Sequence, residues 1–585
     1  MSYSSIIRLE RQFCIHDTFE MSEDKPREKW SRKIEFLFAC IGFAVGYGNF
    51  WRFPFKCFKN GGGAFLIPFI ICLVFTGIPL FMLELSLGQS SQAGPLKTFK
   101  KIAPVFAGIG HAMIVLCFLV SIYYNVILAW SFYYFFNSFQ SKLPWVGCDH
   151  QWVSSYCYDP FMKNINATNA TMVNSNSTSP SREFFTNNVL QISSGLYDTG
   201  SMNWKPLGCL LLAWICVYFC IWKGIRTTGK VVYVTATLPY VMLFVFFVRG
   251  ITLPGAVNGI SYYVTPEWDK LLVFQVWVDA ASQVFYSLTL GFGVMLTFAS
   301  YNDRSNNLFR DALLISIVDA LTSIFSGFVV FAIMGYMAEI QQKDITDPAI
   351  ATDGPGLVFI VYPAALATLP QPQMWSVIFF LMLITLGLDS QFGQVEAVSS
   401  SLIEQFPRQL EKYKELVVLG VCILLFLLGL PCMTQGGMYW FNLIDNYSAG
   451  LSLLFIGFFE LIAVAWIYGA NEFRANIETM IGFKISYGWV IMWKYITPII
   501  VAVIFLFGLI KHSRLKYEAL YTYPASGELL GWLMAIASMI WIPIIAVKEY
   551  TQAEGCATQK FQFLMKSNKS KNYIEKQEGS GILSK

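Results

Sequence analysis

Three features of this 585-residue chain could do chemistry where water is scarce. Two are glycine pairs, Gly46-Tyr47-Gly48 and Gly291-Phe292-Gly293, and the third is a carboxylate, Asp389, inside a long apolar run. Glycine pairs permit a buried helix to unwind, freeing carbonyls and amides that are tolerable at membrane depth only where they bind something or line a cavity. Glycines in membrane helices also serve as packing contacts, so either pair alone leaves both readings open. An ionisable residue in an apolar span costs about 3 kcal/mol or more and needs a partner. Enzyme chemistry finds no comparable constellation. The four histidines are His16, His111, His150 and His512, only His111 falls within an apolar run, and no C-x-x-C pair or H-E-x-x-H helix occurs.

The elements that must position these groups are membrane helices. The chain is 55% hydrophobic and only 13% charged, with a mean hydropathy of +0.51, where a soluble chain carries roughly 25% charged residues. A net charge of +4 gives no field suited to nucleic acid. Apolar runs long enough to span a bilayer lie near 35–58, 63–88, 108–136, 206–222, 231–253, 275–300, 312–338, 374–403, 416–432, 438–467, 489–511 and 527–547. The expected fold is therefore all-α and integral to the membrane, with about twelve helices. Three domains follow: a cytosolic segment 1–33, a transmembrane unit 34–547 and a cytosolic tail 548–585. The glycine pairs fall in the first and sixth spans, and matched breaks five spans apart predict two inverted five-helix repeats around one site.

Orientation follows from loop charge. Lys97, Lys100 and Lys101, then Lys223, Arg226 and Lys230, then Arg304 and Arg310, then Arg408, Lys412 and Lys414 all fall on one side, which reads as the cytosol. The N-terminal residues hold no apolar signal-peptide run, so both termini are expected in the cytosol. The long segment 137–205 then faces outward, and it carries sequons at Asn166, Asn169 and Asn176. Cys148 and Cys157 lie at its start, and an oxidising compartment favours their pairing over two free thiols.

The residues around the first glycine pair, Gly42-Phe-Ala-Val-Gly-Tyr-Gly-Asn-Phe-Trp-Arg-Phe-Pro54 followed by Asn60-Gly-Gly-Gly-Ala-Phe65, closely resemble the first-helix signature of the neurotransmitter:sodium symporters. Leu143-Pro-Trp145, Gly229–Thr237, Ala280–Ser287 and Gly387–Phe392 agree, and the resemblance covers about residues 27–547. It looks most like the amino-acid branch of glycine, proline and neutral amino-acid carriers. The resemblance implies a sodium-coupled carrier in the plasma membrane that works by alternating access. One sodium would use Gly42, Val45, Leu386, Asp389 and Ser390. The other would use Ala44, Asn49, Ser287 and Asp319, completed by the substrate's acid. Glu84 is implied as an acceptor beside the unwound helix.

Gly46 stands where monoamine carriers of that family have an aspartate, so the substrate is expected to bring its own carboxylate, with Tyr124 as its hydroxyl donor. The resemblance also implies Ala44, Gly48, Ser287 and Gly291 as substrate-binding positions. The pocket wall is implied at Val120, Tyr286, Thr289, Phe292, Ser390 and Gln394. Phe292 replaces the tryptophan of glycine carriers, which predicts a neutral amino acid larger than glycine. The alternatives are glycine itself, a GABA-, taurine- or creatine-like zwitterion, or a substrate sensor or channel on the same scaffold. Arg52 and Asp445 are implied as an outer gate, and Arg27, Trp30, Tyr301 and Glu404 as an inner one. Gln283, Ser287 and Ser323 match a chloride site, whereas Phe69 replaces its tyrosine and Asp319 stands where relatives have asparagine. The expectation is weak or absent chloride dependence.

Overall fold

The computed structural model describes residues 27–159, 178–347, 354–517 and 521–553, with Lys560, Leu564 and Met565. The three sequons lie outside the described residues. Helices α1 (Lys33–Ala44) and α2 (Gly48–Lys59) form one span bent by 46°. They are followed by α3 (Gly63–Ser91), α4 (Pro104–Asn137), α5 (Trp204–Ile221), α6 (Thr227–Ile251) and a short helix, α7 (Ala256–Val264). The second half holds α8 (Phe274–Ser287), α9 (Val294–Ala299), α10 (Leu308–Gln341), a short apolar α11 (Leu357–Ala367) and α12 (Pro372–Gln405). It closes with α13 (Pro407–Met433), α14 (Gly437–Ile481), α15 (Gly488–Ile510) and the bent pair α16 (Ala525–Met539) and α17 (Trp541–Gln552). The fold is an all-α membrane bundle.

Among the described residues, length and apolarity alone mark nine runs as membrane-spanning, or eleven with the two bent pairs. The twelfth expected span is the broken one, α8 and α9, in which neither half is long enough to cross alone. Several boundaries differ from the sequence reading; the run expected from 416 begins at Pro407. The run expected to end near 467 continues to Ile481, because the polar turns of 470–481 carry the helix beyond the apolar layer. The last span runs to Gln552 rather than 547.

The centre is built by α12 packed along α4, with α1, α2 and α10 closing around the two breaks. In the first break Val45 leaves helical geometry at φ −86°, ψ 88°. In the second, Thr289, Gly291 and Gly293 all take positive φ, at 54°, 79° and 72°, which is the freedom the two glycines supply. Tethers hold α3 against α15: the Trp493 indole donates to the Pro79 carbonyl at 2.8 Å and the Thr497 hydroxyl to the Phe75 carbonyl at 2.7 Å. Cys148 and Cys157 form a disulfide, with Cα atoms 5.9 Å apart.

Candidate functional site

The two breaks meet in one small cavity, lined by Phe43, Ala44, Gly46, Gly48 and Asn49 from the first span and by Tyr286, Ser287, Thr289 and Phe292 from the sixth. Val120 and Tyr124 of α4 and Ser390 and Gln394 of α12 complete the wall. Every residue expected at the substrate lines this cavity except Gly291. Its N–H instead donates to Glu84 at 2.7 Å, and its Cα faces Leu453. At Gly46 a Cβ would lie 2.6 Å from Ser390 Oγ and 2.8 Å from Tyr124 Oη, so only glycine leaves room between those hydroxyls. No acidic side chain lines the cavity. Phe43 and Ser121 escaped the sequence reading: Phe43 is one of many phenylalanines in apolar helices, and Ser121 acts from behind, its hydroxyl donating to Gln394 Oε1 at 3.0 Å.

Beside the cavity, oxygens gather in two groups. In the first, the Asp319 carboxylate accepts from the Ser287 hydroxyl at 2.8 and 2.9 Å and from Asn49 Nδ2 at 2.6 Å. Asn49 Nδ2 also reaches Ser323 Oγ at 2.9 Å, while Asn49 Oδ1 accepts from the Gly46 amide at 3.2 Å. All four side chains are buried. In the second, Asp389 places Oδ2 where a Cβ on Gly42 would lie only 2.5 Å away, and its buried Oδ1 has no hydrogen-bond partner. The Ser390 hydroxyl donates to the Phe43 carbonyl at 3.3 Å. Val45 and Leu386 line a further small cavity next to Gly46 and Asn49. A buried carboxylate oxygen lacking a donor, beside a helix break that frees carbonyls, suits a hard monovalent cation rather than a transition metal. No cluster of three or more histidine, cysteine or acidic residues that could hold a metal ion occurs among the described residues.

Of the residues expected to hold chloride, Ser287 and Ser323 belong to the first group. Gln283 Nε2 donates to the Gly48 carbonyl at 3.0 Å, and Gln283 lies one helical turn before Ser287 on α8. Phe69 is fully buried, with its ring 4.8 Å from that of Phe53, and offers no donor.

A larger cavity lies on each side. One, toward the end of α2 and the α15–α16 connection, is lined by Arg52, Asp445 and Tyr286. The Arg52 guanidinium sits 4.0 Å over the Tyr286 ring. Tyr286 lines both this cavity and the central one, so the partition there is one side chain thick. The opposite cavity is lined by Arg27, Tyr301, Glu396 and Glu404 and shares no residue with the central one. There Arg27 pairs with Glu404 and stacks 4.3 Å over Tyr301, and the Trp30 indole donates to the Phe298 carbonyl at 3.0 Å. The Gly94 amide donates to both Glu404 oxygens, at 2.9 and 3.1 Å, and the Tyr301 hydroxyl to Glu396 at 2.9 Å. Glu396 was not anticipated, although a carboxylate seven residues beyond Asp389 in the same apolar span carries the same signal.

Residues 27–553 match the model of the sodium:neurotransmitter symporter family. The chain belongs to that family. It is 44% identical to the sodium- and chloride-dependent taurine transporter of Bos taurus, over 96% of this chain and 91% of that one. It is 44% identical to the sodium- and chloride-dependent GABA transporter 2 of Rattus norvegicus, over 92% and 89%. To the sodium- and chloride-dependent creatine transporter 1 of Bos taurus it is 43% identical, over 92% and 86%. As a sodium:neurotransmitter symporter it is a multi-pass membrane transporter of small solutes and not an enzyme. The branch expected from sequence is corrected: these relatives are named for taurine, GABA and creatine, not for glycine, proline or neutral amino acids.

Proposed function

We propose that this chain imports a small zwitterion, an amine and an acid joined by a short linker, across the plasma membrane with sodium. The observation that carries this is the cavity at Gly46, where helix breaks and the Tyr124 hydroxyl converge beside the oxygen cluster of Asp319, Ser287 and Asn49, while no acidic side chain enters the cavity lining itself. A solute that supplies its own acid completes a sodium site there and meets the partial positive charge of the half-helix amides. Gln394 lies one turn along α12 from Ser390, a rise of about 5.4–6 Å. Two to four atoms between acid and amine span about that distance, so its carbonyl suits the amine of a taurine- or GABA-like solute, as the relatives' names also favour. This replaces the reading of an ordinary neutral amino acid, whose acid and amine are joined through a single carbon and so fall short of the Gln394 carbonyl when the acid lies beside Ser390. The disulfide side is taken as the outside and both termini as cytosolic.

The ion reading follows the same geometry. Sodium would bind at Ala44, Asn49, Ser287 and Asp319, and at Gly42, Val45, Leu386, Asp389 and Ser390. Chloride enters through the relatives' names, and this chain departs from its pattern at Phe69 and Asp319. An ionised Asp319 supplies in place part of the negative charge that the anion otherwise brings, and at about 4 Å it repels a neighbouring anion by roughly 4 kcal/mol at an effective dielectric near 20. We therefore read chloride dependence as reduced.

Vesicle uptake of labelled taurine, GABA, creatine and a panel of α-amino acids under an inward sodium gradient tests the substrate. Accumulation of the zwitterions above the α-amino acids is expected. Accumulation of α-amino acids alone rejects the linker argument, and binding without accumulation points to a sensor. Replacing chloride by gluconate at constant sodium should leave substantial uptake, with stricter dependence appearing in Asp319→Asn combined with Phe69→Tyr. Strict dependence in the unaltered protein refutes the role given to Asp319.

A further inference from the structure

Glu84 and Glu460 are both completely buried, and neither is needed for the substrate or sodium sites above. They face one another. On α14 a Cβ at Gly457 would meet Leu80 of α3 at 3.1 Å, and one turn further along each helix stand Glu460 and Glu84. Of their four oxygens only one has a partner: Glu84 Oε1 accepts from the Gly291 amide at 2.7 Å. Glu84 Oε2 and both oxygens of Glu460 are buried without a donor. Other charged groups on the packed elements are engaged elsewhere. Asp319 of α10 faces Asn49 and Ser287, Asp279 of α8 pairs with Lys56, Lys494 of α15 lies over the Trp466 ring, and Asp445 of α14 lines the outer cavity. The unwound segment and α9 carry no titratable side chain.

Two neighbouring carboxylates away from water and without a cation cannot both stay ionised. We propose that the pair is a proton-binding site: Glu460 is held as the neutral acid, and its O–H donates to Oε2 of an ionised Glu84. The placement of the proton follows from the donors. Glu84 already accepts an N–H, which favours its anion, whereas Glu460 has no donor and gains most by carrying one. A single proton then satisfies Glu84 Oε2 and one oxygen of Glu460. It also fixes the carboxylate that holds Gly291, within the segment that brings Thr289 and Phe292 into the cavity. Glu460 is thus a positioning residue acting through Glu84 on the unwound backbone. This goes beyond the substrate reading and does not depend on which solute is carried.

The test uses the full chain purified into lipid nanodiscs, with infrared spectra at neutral pH and parallel sodium-driven uptake corrected for protein at the cell surface. The spectrum of the unaltered protein minus that of Glu460→Gln should contain a protonated-carboxyl C=O band that shifts in deuterated water. Because the amide donates as the acid does, Glu460→Gln should keep uptake within about threefold. Glu460→Leu, which leaves Glu84 without its donor, should lose at least about tenfold. A difference spectrum with no protonated-carboxyl band overturns the proposal even if the Leu variant fails to fold. So does a Glu460→Gln protein as impaired as Glu460→Leu at equal surface level. Loss of uptake with every solute, beside an intact band, counts against the substrate reading alone.

Discussion

At Gly46 the difference between a hydrogen atom and a methyl group decides whether an acid can enter. Gly46→Ala would place its methyl 2.6 Å from Ser390 Oγ and 2.8 Å from Tyr124 Oη, closer than carbon and oxygen tolerate. The expected outcome is at least a tenfold loss of uptake efficiency at normal surface level. Gly46→Asp should abolish uptake of the zwitterion, since its carboxylate would repel the substrate's acid by about 4 kcal/mol. Both are read from initial rates normalised to surface-labelled protein, and unchanged rates in either would remove the acid from this position. Asp389→Asn should raise the sodium concentration for half-maximal uptake several-fold, measured in a sodium titration at fixed osmolarity. These residues were legible because each is an anomaly in an apolar run, a missing side chain or a misplaced charge. Glu460 was equally anomalous, in Phe458-Phe-Glu-Leu461, yet belonged to no motif that would have drawn it out. Phe43 and Ser121 were invisible for the opposite reason, since their types are ordinary in such helices.

At the level of elements, hydropathy located the spans because the lipid sets their length, and the glycine pairs located both breaks because two glycines close together supply the backbone freedom a break needs. Hydropathy is blind to helix that leaves the apolar layer, which is why the polar end of α14 was cut short. It is equally blind to short apolar pieces such as α7 and α11. What packs them is close backbone contact, because lipid supplies no hydrophobic drive between helices. Where α7 crosses α10, a Cβ at Gly335 would lie 2.5 Å from the Gly255 carbonyl and 2.6 Å from the Gly259 amide. Those are rigid backbone atoms and cannot give way as a side-chain end could. Gly335→Leu should therefore separate the two helices and sharply lower the yield of folded protein, seen as loss of the monodisperse peak in detergent. A normal peak would mean that this crossing is dispensable.

For the whole molecule, alternating access requires one side to loosen as the other closes, and the two partitions are unequal. On the orientation proposed above, the Tyr286 ring beneath Arg52 stands toward the outer cavity, and Arg27, Trp30, Tyr301 and Glu404 form the contacts that would latch the inner side. The side chains of Arg27 and Glu404 are only 14% and 15% exposed, so theirs is not a solvated surface pair of little worth. Removing one partner of a largely buried pair costs about 3–5 kcal/mol, because the other is left uncompensated. Glu404→Gln keeps an acceptor for the Gly94 amide but loses the charge, and with it the pairing to Arg27. If the latch holds the inner side shut, that cost falls on the outward-open state alone, and a few kcal/mol suffices to move a two-state population by two orders of magnitude. The expected phenotype is retained sodium-dependent exchange with sharply reduced net accumulation. Ser400, which lines the inner cavity, supplies the reporter: a cysteine there should react with a membrane-impermeant thiol reagent applied from the cytosolic side much faster in Glu404→Gln than in its absence. Arg27→Gln should produce the same shift, and the double change should add little to either single one, since both remove one interaction. Equal labelling rates in all four proteins would show that the latch does not set the balance between the two faces.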